Sequence, residues 1–268
     1  MKNETLQQAT QQACADPALR KKTALIQEYF DALSLRMHQK QQMWGGDRSV
    51  LAAQTETLPT SYRRALAFAE TVTQMPIVIE PWALIAGNCM RDDCIVRCVL
   101  PAFLRKDELG KCTLNMSHKC PDYETLLHIG IQGLLEQLDA REKSLGKETS
   151  ENDPHRVFAA AVRIELNAVL DLAYRYEKLA YAMAEKETDN ARKANLLEMA
   201  DVFHNVPAKP AQTFREAVQS LWFLNYIFRE TMSYLSIGCI DRVLNPYFEK
   251  DYLAGNITLQ QAQDFVDQ

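Results

Sequence analysis

The chain has 268 residues, of which 47% are hydrophobic and 24% are charged, and its net charge is -5. This composition is typical of a globular protein with a sizeable core, and it excludes a disordered or fibrous chain. No run of lysine or arginine supplies the concentrated positive charge that phosphate binding requires, so no nucleic-acid partner is expected. No apolar stretch approaches the ~20 residues of a membrane-spanning helix, and no secretory signal is recognised. A soluble, cytoplasmic protein is therefore expected.

The seven cysteines do not suggest a disulfide framework, because their number is odd and the chain reads as cytoplasmic. Cys89, Cys94 and Cys98 are close in sequence, but their spacing lacks the C-x-x-C pairs typical of zinc sites. We predict no metal site, and we interpret these residues as small buried hydrophobic side chains.

The amino-terminal pattern predicts two helices and then three short strands. Helix-forming residues occupy positions 18–43, and a second helix is predicted over 62–73. The runs 76–79, 82–86 and 94–99 have four to six residues each, are rich in β-branched or apolar side chains and are bounded by turn residues, so we predict strands there.

The remaining pattern is helical. Apolar periodicity predicts a helix over 123–138, a long helix from the cap-and-proline pair at 153–154 to about 186, and another over 190–203. Two capping boxes, Thr213 with Glu216 and Thr258 with Gln261, predict further helix starts. Because the chain ends inside the second of these helices, we expect a fragment of a longer domain.

Five ordered segments carry a resemblance to a known family. Residues 207–223, PAKPAQTFREAVQSLWF, closely resemble the P-x-x-P-A-x-T-F-x-E-A-x-Q-x-x-W-F block of glycyl radical enzymes of the pyruvate formate-lyase type. Residues 117–124, SHKCPDYE, are similar to that family's G-H-x-x-P-D-Y-E segment, and 236–241, SIGCID, resemble S-x-G-R-x-D. Residues 75–88 and 245–262 resemble the first barrel strand and the block that follows the third motif. Long motifs in the family order make the resemblance specific.

The resemblance implies a mainly α fold with a few short strands, forming the amino-terminal part of the α/β barrel of glycyl radical enzymes. Residues 1–74 would be a helical leader, and 75–268 would supply the first barrel strands and the surrounding helices. In the full-length family, a separate activating enzyme with an iron-sulfur cluster and S-adenosylmethionine installs the glycyl radical. A thiyl radical then abstracts hydrogen from a small polar substrate, inside a barrel that excludes water and oxygen. The resemblance also suggests anaerobic metabolism and allows a homodimer.

The residues that perform the radical chemistry are not found in the chain. It has no R-V-x-G-Y motif, and none of its cysteines stands in the family's G-C-x-E context. We therefore nominate no catalytic residue and no cofactor bound by this chain, and we expect these 268 residues to be inactive alone. Cys239 and Arg242 stand where the family usually has arginine and glutamine, which is a departure from its pattern.

Three residues are candidates for substrate binding. His118 matches a histidine that hydrogen-bonds substrate hydroxyls in dehydratase-type members, although it also suits a helix entry. Asp122 could orient His118 or contact substrate, but an aspartate here more readily caps the following helix. Ser236 could face the pocket through its hydroxyl, or it could simply form a turn before Gly238.

The amino-terminal segments favour the dehydratase and lyase branch over formate acetyltransferase. This predicts part of a C–O or C–N lyase that acts on a small polar substrate. The alternative is a non-catalytic helical remnant or binding protein derived from the same family.

Overall fold

The computed structural model describes residues 53–87, 120–146, 150, 153–231 and 236–268. Helices make up 73% of these residues, and no strand occurs among them, so the mainly α prediction is confirmed. The predicted helix over 18–43 and the predicted strand over 94–99 lie outside the described residues, as do Cys89, Cys94 and Cys98. Within the described ranges, the helices in chain order are α1 Thr60–Gln74, α2 Tyr123–Ser144, α3 Pro154–Lys186, α4 Asn190–Asn205, α5 Phe214–Thr231, α6 Ile240–Leu253 and α7 Leu259–Val266.

Helix α3 is the longest of these and packs against both α1 and α4. Asp153 caps it by accepting a hydrogen bond from the His155 amide at 2.9 Å, and Pro154 occupies the first turn. Its buried face consists largely of alanines, which let the neighbouring helices approach closely. Arg175 on α3 donates hydrogen bonds to three carbonyls at the end of α1, at 2.6–3.2 Å, and so caps that helix from outside.

Two hydrophobic clusters share α5. The first lies among α1, α3, α4 and α5 and contains a group of aromatic side chains, in which Tyr176 stacks on Phe203 with ring centroids 5.2 Å apart and meets Phe223 edge to face. The second joins the start of α2 to α5, α6 and α7. Burial in both clusters makes α5 the central element of the described fold.

Both predicted capping boxes are present. At α5, the Glu216 carboxylate accepts from the Thr213 amide, and the Thr213 hydroxyl accepts from the Glu216 amide at 3.2 Å. At α7, Thr258 and Gln261 form the same reciprocal pair. A second carboxylate supports α5, since buried Asp251 of α6 accepts a hydrogen bond from the Phe214 amide at 2.7 Å.

Helix α2 is interrupted at Gly130, which has φ 67° and ψ 177°. The break lets the chain after α4 cross the helix: the Ile131 and Gln132 amides donate to the carbonyls of Pro207 and Ala208 at 2.8 and 2.9 Å. A Cβ atom on Gly130 would lie 2.5 Å from the Ala208 carbonyl oxygen. Glycine is therefore required here both by its backbone conformation and by the approach of a second backbone.

The predicted strands over 76–79 and 82–86 are not strands in the structure: residues 75–80 have no regular secondary structure, 81–82 form a turn and 84–85 a bend. For 82–86 the physical reason is that side chains from α4 and α5 bond this backbone in place of a β ladder. The helix predictions hold better: α1, α2, α3 and α4 all cover the predicted ranges, and α2 continues six residues beyond position 138. Helix α6 was not predicted, because Pro246 lies inside it.

Candidate functional site

Asp122 begins α2, and both of its carboxylate oxygens bond Thr125. The Thr125 amide donates to Oδ1 at 3.0 Å, and the Thr125 hydroxyl donates to Oδ2 at 2.7 Å. These two hydrogen bonds, led by the one from the backbone, hold the pKa of the Asp122 carboxyl below its ordinary value. The capping interpretation of Asp122 is therefore the one that its geometry supports.

Ser236 and Gly238 form a turn at the start of α6. The Gly238 amide donates to the Ser236 hydroxyl oxygen at 3.1 Å, and Gly238 has φ 72°. The Ser236 hydroxyl is therefore used as an acceptor, and its O–H remains able to donate to another group. Both interpretations of Ser236, turn residue and pocket donor, are compatible with this geometry.

The structure brings two of the motif segments into contact. A Cβ atom on Gly238 would lie 2.6 Å from Cys120 Sγ, so a larger residue would force the Cys120 thiol to move, and the positive φ at this turn also favours glycine. Cys120 is followed directly by Pro121 and Asp122, and it is exposed, as is Cys239. We call the four residues Cys120, Asp122, Ser236 and Gly238 the motif junction. His118 lies outside the described residues, two positions before it.

The motif junction continues into the core through Tyr123. Tyr123 is buried, and its hydroxyl accepts a 3.4 Å hydrogen bond from Asn225 on α5. Burial raises the pKa of the Tyr123 phenol, with the Asn225 hydrogen bond acting in the opposite direction. The phenol is therefore kept neutral and fixes the start of α2 against α5.

The segment 80–87 is held beside α5 by side-chain hydrogen bonds. The Gln219 amide bonds both backbone groups of Ala86 at 2.8 Å, which reproduces the pairing that a neighbouring strand would make. Next to it, Trp222 Nε1 donates to the Gly87 carbonyl at 2.6 Å. The sequence assigned Gln219 no role, because a helix pattern does not reveal which backbone its polar residues will meet.

Arg215 fixes the other side of this segment. Its guanidinium donates to the Leu84 carbonyl at 2.9 Å and to the Asn195 side chain at 2.6 Å, and it pairs with Glu198 at 2.5 Å. Burial lowers the pKa of the Arg215 guanidinium, while Glu198 acts in the opposite direction. On α4, Arg192 donates to the carbonyls of Glu80 and Ala83 at 2.6 and 2.7 Å. Side chains from two helices thus position one short stretch of backbone.

The described residues contain no group of three or more metal-binding side chains. None of the helices in these ranges is long and apolar enough to cross a membrane. The contacts at the motif junction offer hydroxyl, thiol and carboxylate groups, which suit hydrogen bonding to a polar molecule.

Residues 111–268 match the family model described as pyruvate formate lyase-like. The chain belongs to the pyruvate formate lyase-like family. Among its relatives, isethionate sulfite-lyase of Desulfovibrio desulfuricans is 39% identical over 152 residues, which cover 54% of this chain and 18% of that protein. Trans-4-hydroxy-L-proline dehydratase of Clostridioides difficile is 29% identical and covers 65% of this chain and 23% of that protein. The chain thus spans about a fifth of the curated relatives that it matches.

Solved structures give the same fold. The glycerol-bound form of the B12-independent glycerol dehydratase from Clostridium butyricum has a TM-score of 0.70 at 22% identity, covering 89% of this chain and 38% of that one. At this identity the likeness shows the fold alone. A glycyl radical enzyme from Archaeoglobus fulgidus has a TM-score of 0.69 at 26% identity, covering 82% and 36%. The predicted family and fold are confirmed: the described helices form part of the glycyl radical enzyme fold.

Proposed function

We propose that this chain is the amino-terminal portion of a glycyl radical dehydratase or lyase that acts on a small polar molecule. The observation that carries the proposal is the contact at the motif junction, where two segments that resemble family motifs meet through Cys120 and Gly238. Relatives named as a sulfite-lyase and as dehydratases support the lyase and dehydratase branch over formate acetyltransferase. The motif junction would then form one wall of a substrate pocket.

In this proposal His118 and Ser236 contact the substrate. A hydroxyl or sulfonate oxygen would accept from the Ser236 O–H, whose oxygen is already fixed by the Gly238 amide. His118 would donate to, or exchange a proton with, a substrate hydroxyl. Asp122 would act on the substrate only indirectly. Both of its carboxylate oxygens bond Thr125 and so fix the chain direction at the start of α2.

The radical chemistry would come from a glycine and a cysteine that are not among these 268 residues. Neither an R-V-x-G-Y motif nor a cysteine in a G-C-x-E context occurs in the sequence. Alone, the chain would therefore be inactive, and a radical-activating enzyme and a possible second copy would be partners only of the full-length protein. Cytoplasmic location and anaerobic metabolism belong to the same proposal.

Electron paramagnetic resonance tests the missing-glycine part of the proposal. The 268-residue chain is incubated anaerobically with an S-adenosylmethionine-dependent activating enzyme of a relative, and that relative serves as the positive control. We expect a glycyl radical doublet from the relative and none from this chain. A doublet from this chain would refute the claim that its radical glycine is absent.

Ligand titration tests the pocket wall. Glycerol, propane-1,2-diol, trans-4-hydroxy-L-proline and isethionate are added to the ¹⁵N-labelled chain, and amide shifts are followed by NMR. We expect weak, saturable shifts at Ser236 and Gly238 for at least one compound, and their loss in Ser236→Ala and His118→Ala. Asp153→Ala, which removes a helix cap at a different helix, is the control and should leave the shifts unchanged. Shifts that persist in both site variants would contradict the assignment.

A further inference from the structure

A cavity lies on the face of α5 opposite Gln219. It has a volume of about 340 Å³ and opens between α1, α3 and α5, with Phe68, Leu166 and Phe228 among its walls. Phe228 follows Gln219 by nine residues, about two and a half helical turns, so the two side chains leave α5 in opposite directions. The cavity is therefore separate from the backbone segment that Gln219 holds.

The lining of this cavity is apolar except at a few positions. Small-molecule sites typically enclose roughly 300–1,000 Å³, with mostly hydrophobic walls and a few polar groups that orient the ligand. The charged groups of this cavity are Glu165, which lies midway along the α3 wall between Phe158 and Val169, and Arg64 on the α1 wall. The size and the lining both fit a ligand about as large as a substituted aromatic ring.

Glu165 is the group that gives this cavity its chemistry. Burial raises the pKa of its carboxyl, and the charge of Arg64 on α1 acts in the opposite direction. Within the described ranges, no hydrogen bond to the Glu165 carboxyl occurs. A carboxyl in this wall without a hydrogen bond carries a desolvation cost that the Arg64 charge offsets only in part, and a donor brought by a ligand would offset more of it.

We propose that this cavity binds a small, largely apolar ring compound whose single hydrogen-bond donor meets Glu165. A wholly apolar helix of a partner protein fits less well, because it would bury the carboxyl without satisfying it. Phe158, with 62% of its surface exposed, stands at the rim and would close over the ring when the ligand enters. This site is independent of the proposed lyase function.

Two matched probes test the proposal on the full 268-residue chain by ¹⁹F ligand-observed NMR. 4-Fluorophenol carries one hydroxyl donor, and 4-fluorotoluene has the same ring without it. We expect saturable binding of 4-fluorophenol and binding of 4-fluorotoluene about tenfold weaker, which is the effect of one hydrogen bond to a carboxyl group. Equal affinities, or no saturable binding of either probe, would overturn the proposal.

Three variants locate the binding. Glu165→Leu should remove the preference for 4-fluorophenol while the ring is still bound, and Val162→Phe should fill the cavity and abolish binding of both probes. Glu185→Leu, at an exposed position of the same helix, is the matched control and should bind like the original chain. Circular dichroism establishes that each variant is folded. The site is refuted if a folded Val162→Phe chain still binds either probe, or if the preference for 4-fluorophenol survives in Glu165→Leu. A variant that changes the sedimentation of the chain instead of probe binding also refutes it, in favour of a protein interface at this place.

Discussion

Gly130 offers the sharpest test of how the described fold is held together. Replacing it with alanine puts a Cβ atom 2.5 Å from the Ala208 carbonyl oxygen and 2.6 Å from the Lys209 carbonyl carbon. Its backbone, at φ 67° and ψ 177°, belongs to a region that is essentially reserved for glycine. Neither neighbour is the flexible end of a side chain, so the clash must be relieved by moving backbone.

The expected cost follows from these two effects. A non-glycine residue in such a conformation costs about 1–3 kcal/mol, and forcing a methyl group into a packed site costs about 1–3 kcal/mol more. Together they give roughly 2–6 kcal/mol, which is a large part of the stability of an ordinary domain. At about 2–4 °C per kcal/mol, Gly130→Ala should lower the Tm by roughly 4–24 °C.

Thermal and urea unfolding followed by circular dichroism measure this effect. Gly255→Ala is the matched control, because Gly255 has φ 76° but no atom lies within 4 Å of the position that its Cβ atom would take. It should therefore show the cost of positive φ without the clash. If Gly130→Ala costs no more than Gly255→Ala, the close approach of residues 208–209 to α2 does not contribute to stability and the reasoning fails.

Three further predictions concern single hydrogen-bonded groups. Gln219→Ala leaves the buried amide and carbonyl of Ala86 without partners, which costs about 1–3 kcal/mol for each group. The urea midpoint should therefore fall, and hydrogen exchange at the Ala86 amide should accelerate. An unchanged exchange rate would contradict this role of Gln219. Thr258→Ala should cost about 1 kcal/mol by removing the α7 cap, whereas Thr258→Ser should restore most of it in the same unfolding assay. For Asp122, whose pKa is lowered in the folded chain, the stabilising contribution is complete above the unfolded value of about 3.9 and is lost as the pH falls through the folded pKa. A carbon-detected NMR titration of Asp122 should give a midpoint below about 3.9, and a midpoint at or above it would reverse the sign.

The helices could be predicted because their signals are local. Caps such as Asp153 with Pro154, and the box of Thr258 with Gln261, lie next to the helices that they start, so a few residues of sequence contain the interaction. Apolar periodicity predicted the extent of α3 in the same way. Helix α6 escaped prediction because Pro246 normally opposes a helix interior, and burial of Leu244 and Asp251 against α5 outweighs that local preference.

The strand predictions failed because their signals are not local. An apolar run such as 82–86 indicates that a stretch of backbone is buried, but not which groups form hydrogen bonds with it. Whether Ala86 pairs with another strand or with the Gln219 side chain depends on a contact between residues 133 positions apart. The candidate site shares this limit, since the approach of Cys120 to Gly238 joins segments more than a hundred residues apart.

The strongest family motif has a structural explanation in these contacts. Within the block 207–223, Glu216 caps α5, while Arg215, Gln219 and Trp222 bond the backbone of 84–87. These side chains satisfy buried backbone groups, so their described contacts are structural and give them no part in distinguishing substrates. The block therefore specifies the scaffold, which many reactions can share. Differences between relatives that act on different molecules should then concentrate at the motif junction rather than in this block, and exchanging residues 236–239 for those of a relative should alter ligand preference while leaving the unfolding midpoint nearly unchanged.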